Sequence, residues 1–251
     1  MKLALLSDIH SNLNALQSCL NHARDHGAQQ IAFLGDLVGY GGQPGQVLER
    51  VMDLAQMGAL VVQGNHDALV GGAPGQPQSM ANVSVPWTRS QLSAQQQAFL
   101  RDLPLTARVG DVLLVHASAR FPEKWYYVED ALTAGASLDA AQTEDDSVRF
   151  VFGGHVHRQS LYYRSTGRGL MLFNPTPGVA VPTPRHREWI ATVGSVGQPR
   201  DGNPRAQYAM FDTDKAQLTF FRVEYDLQAA AAAIRQAGLL DFFAQRLEEG
   251  I

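Results

Sequence analysis

The sequence predicts an α/β fold in which a mostly parallel β-sheet packs against a second, antiparallel sheet. Short apolar runs alternate with amphipathic helical segments in the first part of the chain, which is typical of parallel strands joined by right-handed helical crossovers. In the last third, short strands follow one another with only turns between them, and this favours antiparallel pairing. The length of 251 residues suits one large domain, so we expect a single domain over residues 1–251.

The predicted fold begins with a buried strand at residues 2–7, a short apolar run that ends in polar residues. Apolar residues then recur every three or four positions, as in an amphipathic helix with one buried stripe. These residues are Leu13, Leu16, Leu20 and Ala23. Gly27 is expected to end this helix. The order repeats as a strand at 30–34, a loop at 35–42, a helix that starts at Pro44 and a strand at 59–62.

A cap or insert is predicted at residues 71–104. Its first part, GGAPGQPQ, is rich in Gly, Pro and Gln, and Ser93 and Gln96 then have the spacing of a helix capping box. We therefore expect a helix from Ala94 that ends before Pro104. Further strands are expected at 111–115, 148–152, 170–173, 190–193, 207–211 and 217–223, with helices at 128–141 and 226–247.

Composition excludes several classes of protein. Twenty Lys and Arg against 24 Asp and Glu give a net charge of −4, so a protein whose main task is to grip nucleic-acid backbone is not expected. A single cysteine, Cys19, cannot form an intrachain disulfide. No apolar run is long enough for a membrane span, and Asp8 comes too early for a secretory signal. We expect a cytoplasmic protein with no membrane partner, and the sequence does not determine its oligomeric state.

Five polar clusters stand where predicted strands end. They are Asp8-Ile9-His10, Gly35-Asp36, Gly64-Asn65-His66-Asp67, His116 and Gly153-Gly154-His155-Val156-His157. Loops at the carboxyl ends of strands converge in open α/β sheets, so the clusters are expected to meet. Asp8 and His10 are two residues apart, as are His155 and His157, and extended backbone would point each pair to one side. Carboxylate, imidazole and amide groups without thiolates suit a divalent cation rather than a Cys-rich zinc site.

Each cluster has a structural explanation when it is taken alone. A Gly-Asp pair after a strand is often a turn, and a single histidine such as His116 at a strand end is often a hydrogen-bonded core residue. Five of the eight histidines fall in these clusters, however, and each follows a predicted strand. This conjunction favours a common site. His22, His26 and His186 have no such context and are expected in solvent.

The ordered series D-x-H, G-D, G-N-H-D, H and G-H-x-H resembles the calcineurin-like metallophosphoesterase superfamily from Asp8 to about Tyr208. Within it, the segments SDIHSNLNAL, GDLVGYG, VVQGNHD, VHAS and GSVGQPRDGNPRAQYA resemble a bacterial branch of small phosphodiesterase-type members. The resemblance implies a four-layer αββα sandwich of two mixed β-sheets flanked by helices. It also places the segment 175–193 near the mouth of the site.

The resemblance implies two divalent metal ions. One would be held by Asp8, His10, Asp36 and His157, and the other by Asp36, Asn65, His116 and His155, with Asp36 shared. The implied reaction is hydrolysis of phosphodiester or phosphomonoester bonds in a small or nucleotide-like substrate by a hydroxide that bridges the metals. Manganese is the expected metal, with iron, nickel, cobalt or zinc as alternatives, because imidazole and carboxylate accept all of them.

The resemblance gives His66 a role in protonating the leaving oxygen or stabilising transition-state charge. Asp67 either orients His66 or only closes its loop. Residues 37–40 are Leu-Val-Gly-Tyr, where the Ser/Thr protein phosphatase branch has an acidic residue and an arginine, and Gln63 stands in place of a second arginine. Fewer phosphate-clamping arginines favour diesters or nucleotides over monoesters.

Four residues are predicted to contact substrate: Asn12, Tyr40, Arg200 and Arg205. Each arginine has the alternative of a solvated turn, and Asn12 has that of a helix cap. The aromatic segment 121–127 (FPEKWYY) could stack a nucleobase or form a buried aromatic cluster.

Two other functions remain open. A broad-specificity Ser/Thr-type protein phosphatase would need an open groove, and a non-catalytic scaffold would keep the fold for partner binding. Scaffolds of this kind usually lose ligands, whereas all seven predicted ligands and His66 are present. A nuclease is not expected, because no basic stripe with interleaved aromatic residues occurs.

Overall fold

The computed structural model describes residues 1–72, 83–164 and 169–251. Its strands are β1 (Lys2–Leu6), β2 (Gln30–Phe33), β3 (Leu60–Val61), β4 (Thr106–Val109), β5 (Val112–Val115), β6 (Phe150–Gly153), β7 (Gln159–Arg164), β8 (Met171–Phe173), β9 (Ala180–Pro182), β10 (Glu188–Val193), β11 (Ala206–Asp212) and β12 (Gln217–Val223). Its helices are α1 (Leu13–Asp25), α2 (Pro44–Gln56), α3 (Asn65–Gly71), α4 (Val85–Ser90), α5 (Ala94–Arg101), α6 (Ala131–Glu144), α7 (Leu227–Gln236) and α8 (Asp241–Glu249). Among the described residues, no helix is both long and apolar enough to cross a membrane.

The strands form two mixed sheets, which confirms the predicted fold class. The first sheet has the order β3-β2-β1-β11-β12-β9 and the second β4-β5-β6-β10-β7-β8. In the first, β1, β2 and β3 are parallel, and the remaining neighbours are antiparallel. In the second, β6 is parallel to β5 and β10. The prediction that the late strands build a separate sheet is wrong for β11 and β12, which complete the first sheet.

The burial of β11 explains its place beside β1. Tyr208 and Met210 pack in the core under α1 and α2, whereas Ala209 and Phe211 face the core between the two sheets. A strand that is apolar on both faces has no side to present to water, so it lies in the interior of a sheet. The Phe211 ring contacts Phe150 of the second sheet at a centroid distance of 4.7 Å. Helix α6 covers the outer face of that sheet, which completes the four layers.

The predicted terminal helix at 226–247 is two helices. Gly238 has φ +69°, a left-handed conformation that ends α7, and α8 begins three residues later. Phe243 and Leu247 of α8 pack with α7 around the ring of Tyr40 in the loop after β2. The C-terminal helix pair therefore supports one of the loops in which the polar clusters lie.

The predicted cap at 71–104 lies partly outside the described residues, since it includes 73–82. Helices α4 and α5 form the described remainder, and the capping box at Ser93 and Gln96 starts α5. Leu92 and Leu100 are buried in the core under the first sheet, so this part packs on the body of the fold. The role as a cap stays a prediction. The segment 175–193 supplies β9 and β10 to the two sheets, and the end of β10 pairs with Gly153 ahead of His155. The place of the whole segment near the site mouth stays a prediction.

Replacement of Phe211 with Ala is expected to lower the free energy of unfolding by about 3–5 kcal/mol, because it leaves a cavity between the sheets. Phe173→Ala is the matched control, since Phe173 is 41% exposed on the edge strand β8, and it should cost about 1 kcal/mol or less. Urea denaturation followed by circular dichroism measures both. Equal losses in the two variants would contradict the assignment of the inter-sheet core.

Candidate metal centre

The loops that follow β1, β2, β3, β5 and β6 meet at one end of the sheets. They bring together the predicted ligands Asp8, His10, Asp36, Asn65, His116, His155 and His157, all of which are buried except the partly exposed Asn65. The loops bind one another through their backbones. Asp8 N donates to Gly35 O at 3.0 Å, His10 N to Asp36 O at 3.0 Å, and Gly154 N to His116 O at 2.8 Å.

Left-handed backbone, and not the extended backbone expected from the two-residue spacing, carries most of these side chains. The values of φ are 54° at Asp8, 46° at His10, 53° at Asp36, 68° at His155 and 56° at His157. Such conformations cost a non-glycine residue about 1–2 kcal/mol, although Asp and His tolerate them better than most residues. The bonds between the loops hold the residues there, as is common at functional sites.

Two motif glycines allow the loops to approach so closely. A Cβ atom at Gly64 would overlap the backbone and carboxylate of Asp36, and one at Gly154 would overlap the side chains of Ser7 and Asp8. The glycines that precede Asn65 and His155 in the sequence motifs are therefore required by packing against the carboxylates.

A first group of donor atoms surrounds His10 and His157. Their Nε2 atoms are 3.1 Å apart, and Asp8 Oδ1 lies 3.2 Å from His157 Nε2 and 3.8 Å from His10 Nε2. Asp36 Oδ2 lies 3.6 Å from His10 Nε2. These four side chains are the set that the resemblance implied for one metal.

A second group surrounds His116. Its Nε2 lies 3.2 Å from His155 Nδ1, 3.2 Å from Asn65 Oδ1 and 3.4 Å from Asp36 Oδ2. The set matches the ligands implied for the other metal. Asp36 Oδ2 adjoins both groups, so it occupies the position that a shared ligand would need.

The outer nitrogen of three histidines fixes the direction of the ring. Nδ1 of His10, His116 and His157 lies 3.1, 2.7 and 2.6 Å from the carbonyl oxygens of Val38, Leu34 and Gln198, respectively. A carbonyl only accepts, so Nδ1 carries the proton and the Nε2 lone pair of the neutral ring points into the cluster. The lone pairs of His10 and His157 then face each other, which is unfavourable without a proton or a cation between them.

The carboxylates are anchored in the same way. Asp8 Oδ2 accepts a hydrogen bond from His155 N at 2.9 Å, and Asp36 Oδ1 accepts one from His66 N at 2.8 Å. The second oxygen of each faces the donor groups, and Asp8 Oδ1 has no hydrogen-bond partner among the described residues. One oxygen positions the side chain and the other is available as a ligand.

The donor set fits divalent cations. Ligand atoms that lie 2.0–2.2 Å from one cation are about 3.4 Å apart in tetrahedral geometry, and the neighbouring donors here are separated by 3.1–3.8 Å. All donors are oxygen or nitrogen, because the single cysteine, Cys19, is buried on the core-facing side of α1, away from the cluster. Imidazole with carboxylate and amide oxygen suits manganese, iron, cobalt, nickel or zinc.

The electrostatics keep the carboxylates ionised. Burial opposes this, but the charges of His116 and His66 hold the pKa of Asp36 well below its usual value. Burial also works to lower the pKa of His116, yet the Asp36 charge outweighs it and raises that pKa to about 9. Burial, together with the charge on His116, lowers the pKa of His155 to about 4. A cation would therefore meet ionised carboxylates and would compete with a proton chiefly at His116.

His66 lies beside the first donor group. Its ring is 5.1 Å from that of His10, and it forms a possible third donor set with His10 and Asp36. His66 Nε2 shares a hydrogen bond of 3.0 Å with the hydroxyl of Tyr40, while Nδ1 is buried with no partner among the described residues. Burial, followed by the charges of His157 and His116, lowers the pKa of His66 against the opposing charge of Asp36.

Asp67 does not contact His66 through its carboxylate. Oδ1 accepts hydrogen bonds from Leu37 N at 2.9 Å and Val38 N at 3.3 Å, and Oδ2 accepts one from Gly64 N at 3.0 Å. Asp67 therefore ties the loop after β2 to the loop after β3. Its prediction as a catalytic residue is wrong in this geometry, because both oxygens are used by backbone amides.

Two of the predicted substrate-binding residues have other partners in the structure. Asn12 caps α1, accepting from Ala15 N at 3.1 Å and donating to Gly197 O at 3.0 Å, so both ends of its amide are engaged. Arg205 is exposed, bonds Asn203 Oδ1, and lines a cavity with Lys2 and His22. Asn12 still lines a small cavity with His10 and Tyr40, so its contact with substrate stays a prediction. Arg205 does not lie at the cluster. His22 itself is partly buried and contacts the Tyr208 hydroxyl at 2.7 Å, contrary to the expectation of a solvated side chain.

Tyr40 and Arg200 do lie at the cluster. The guanidinium carbon of Arg200 is 5.9 Å from the centroid of the Tyr40 ring. Sequence analysis missed Arg246 of α8, whose pKa is lowered by burial and by the nearby charge of Arg200. Arg246 Nε donates to Ile251 O at 2.9 Å, and Arg200 Nη2 donates to Gln198 Oε1 at 3.1 Å. No motif marks Arg246, because only the packing of the C-terminal helices brings it near Arg200 and Tyr40.

Aromatic side chains border the second donor group. Tyr127 stacks on His155 at a centroid distance of 4.1 Å, and Trp125 meets His116 edge-on at 5.9 Å. The aromatic segment 121–127, which follows His116 in the sequence, was the feature that indicated aromatic side chains here.

The same family emerges from comparisons with known proteins. The profile of the calcineurin-like phosphoesterase superfamily domain matches residues 1–216. An uncharacterised protein of Methanocaldococcus jannaschii is 31% identical over 98% of this chain and 96% of its own length. A crystal structure of a metallophosphoesterase from Sphaerobacter thermophilus is 35% identical, covers 100% of both chains and has a TM-score of 0.84.

A hypothetical protein from Pyrococcus horikoshii shares the fold, with 18% identity, a TM-score of 0.77 and coverage of 100% of this chain and 98% of its own. The profile match, the relative from M. jannaschii and the ordered donor residues agree. This chain belongs to the calcineurin-like phosphoesterase superfamily.

Proposed function

We propose that this protein is a dinuclear-metal-dependent phosphoesterase that hydrolyses phosphodiester or phosphomonoester bonds of a small or nucleotide-like substrate. The observation that carries the proposal is the position of Asp36 Oδ2, 3.6 Å from His10 Nε2 and 3.4 Å from His116 Nε2. One carboxylate oxygen adjoins two separate donor groups, as a site for two neighbouring cations requires.

Asp8, His10, Asp36 and His157 would hold one cation, and Asp36, Asn65, His116 and His155 the other. When bound, such a metal pair acidifies a water molecule and offsets the charge that builds up on a phosphoryl group under attack. The chain's part is to fix the donors beforehand. The carbonyl-anchored imidazoles and amide-anchored carboxylates keep the cluster in one arrangement, so little reorganisation is needed on binding.

His66 is proposed to hold or deliver the proton for the leaving oxygen. Its ring is buried beside the first donor group, and the hydroxyl of Tyr40 is bonded to Nε2 at 3.0 Å. We therefore assign Tyr40 the role of orienting the His66 imidazole through this hydrogen bond. Its predicted contact with substrate is a separate role. Burial lowers the pKa of His66, and an anionic substrate beside the ring would favour its protonated form.

Arg200 and Arg246 supply the positive charge for substrate binding. The Nε atom of Arg200 is buried without a hydrogen-bond partner among the described residues, and its Nη2 donates to Gln198 Oε1 at 3.1 Å. The positive charge of these arginines would attract an anion. A phosphomonoester dianion is bound best by two guanidinium groups whose paired N–H donors are all available, and here some of these donors already have partners. This arrangement supports the preference for diesters or nucleotides. Manganese as the metal and a cytoplasmic location stay predictions.

Protein reconstituted with Mn²⁺ is expected to hydrolyse bis-(p-nitrophenyl) phosphate faster than p-nitrophenyl phosphate, and EDTA should abolish both activities. Release of p-nitrophenolate measures the rates. A strong preference for the monoester and for phosphopeptides would favour a broad-specificity protein phosphatase. Absence of hydrolysis with Mn²⁺, Ni²⁺ and Co²⁺ would overturn the proposal in favour of a non-catalytic scaffold.

The variant His66→Asn should keep its metal and lower kcat by about 10²–10⁴, because general acid catalysis typically contributes that factor. Metal analysis of the same preparation separates the two effects. His26→Asn is the control, since His26 is an exposed histidine at the end of α1. Loss of bound metal from His66→Asn would make His66 a ligand, which the donor set with His10 and Asp36 permits.

A further inference from the structure

The loop of residues Phe121–Tyr127, here called the aromatic loop, presents large rings to solvent. Phe121 is 56% exposed, Tyr126 51% and Tyr127 48%, so the alternative of a buried aromatic cluster is wrong for these three. Exposure of one aromatic ring is ordinary, but three in one short loop form a patch that suits binding.

The aromatic loop is held in a costly conformation. Phe121 has φ 52° and Trp125 has φ 55°, and between them Pro122–Lys124 form a single 3₁₀ turn. Left-handed backbone is uncommon and unfavourable for bulky residues. Strain of this kind persists where the surroundings determine the conformation, and it is concentrated at functional sites.

Both ends of the loop are fixed to the body of the protein. Ser137 Oγ on α6 accepts from Ala119 N at 2.9 Å, and Ser118 Oγ accepts from Arg120 N at 3.1 Å. Val128 is buried in the core between α6 and the second sheet. The rings are therefore presented by an anchored segment and lose little entropy when they bind a ligand.

Two rings of the loop touch histidines of the second donor group. Tyr127 lies parallel to the His155 ring, at a centroid distance of 4.1 Å and an interplanar angle of 25°. Trp125 meets the His116 ring at 5.9 Å and 70°. One face of the Tyr127 ring is thus covered by His155, whose Nδ1 points to the second donor group. About half of the surface of Tyr127 remains exposed to solvent.

We propose that the aromatic loop binds the nucleobase of a nucleotide phosphoester, with the base stacked on the open face of Tyr127 and bordered by Trp125. This inference rests on the proposed function, because it supplies the substrate class of the same site. In a nucleotide, one sugar separates the base from the phosphorus. A base stacked on Tyr127, which contacts the predicted ligand His155, would therefore lie close to a phosphate at the metal centre. Stacking is tolerant of base identity, so little preference among the bases is expected.

A protein surface is the competing occupant of the patch. A protein docked on Trp125 and Tyr127 would lie over His116 and His155, and would close the centre against substrate. A planar group that belongs to the substrate covers the same rings while leaving its own phosphate at the centre. We therefore assign the patch to substrate.

The test compares two diesters with the same leaving group, thymidine 5′-(p-nitrophenyl phosphate) and methyl p-nitrophenyl phosphate, on Mn²⁺-reconstituted protein. The ratio of their kcat/KM values should fall about tenfold in Tyr127→Leu, because the variant loses the ring on which the base would stack. Tyr127→Phe keeps the ring and should retain the wild-type ratio. Phe173→Leu is the control for loss of a half-exposed aromatic ring elsewhere.

Equilibrium binding gives a second readout. The dissociation constant for AMP should rise about tenfold in Tyr127→Leu, whereas that for ribose 5-phosphate, which has no base, should change less than twofold. Calorimetry on the Mn²⁺-loaded protein measures both. An unchanged kcat/KM ratio and unchanged AMP affinity in Tyr127→Leu would overturn the inference. If that variant instead lowers the sedimentation coefficient of the protein, the patch is an interface between copies of the chain.

The two proposals fail in different ways. If the wild-type protein hydrolyses no phosphoester with any metal, the proposed function is wrong, and AMP binding alone decides whether the aromatic loop recognises a base. If both diesters are hydrolysed and the variants do not differ, the phosphoesterase stands and the base site is wrong.

Discussion

The position of the Asp36 carboxylate is the constraint on which the candidate centre depends. Oδ1 is held by the amide of His66 and Oδ2 faces both donor groups. The backbone carbonyl of the same residue accepts from His10 N. The loops after β1, β2 and β3 are thereby fixed relative to one residue. The distance between the two donor groups is therefore set before any cation binds. Gly64 can lie against this carboxylate only because it lacks a Cβ atom.

The sandwich provides the rigidity that this arrangement needs. Left-handed residues at Asp8, Asp36 and His155 would relax in a loop that was free to move. Here they follow strands whose neighbours are buried on both faces, and Asp67 binds three amides across two of the loops. The C-terminal helices add a further layer of support through Phe243 and Leu247, which enclose the Tyr40 ring that contacts His66. A stable fold thus maintains local strain at the cluster.

The parts of the fold that follow local patterns could be predicted from the sequence. Helices α1 and α2, the capping box at Ser93 and the clustering of polar residues after strands all follow from spacing along the chain. The sheet to which β11 belongs could not be predicted in this way, because its partner β1 is distant in sequence and only its two apolar faces hint at a central position. The helix break at Gly238 could not be predicted from the sequence, because the alanines and leucines on both sides of this glycine favour helix.

In the candidate site, the donor types were predictable and the roles of their neighbours were not. Asp67, Asn12 and Arg205 have polar side chains close to motifs, yet the first two bond backbone groups and Arg205 bonds the side chain of Asn203. Arg246 belongs to no motif, and the aromatic segment that contains Tyr127 did not show which ring would contact His155. Spacing in the sequence reports which residues share a loop, whereas these contacts depend on how separate elements are brought together.

Metal stoichiometry after reconstitution with Mn²⁺ and removal of the excess tests the central role of Asp36 most directly. The account predicts two ions per wild-type chain, two in the exposed-residue control Asp53→Asn, and fewer than one in Asp36→Asn, because the shared ligand contributes to both positions. Two ions retained by Asp36→Asn, or no more than one bound by the wild type, would contradict a dinuclear centre organised by this carboxylate.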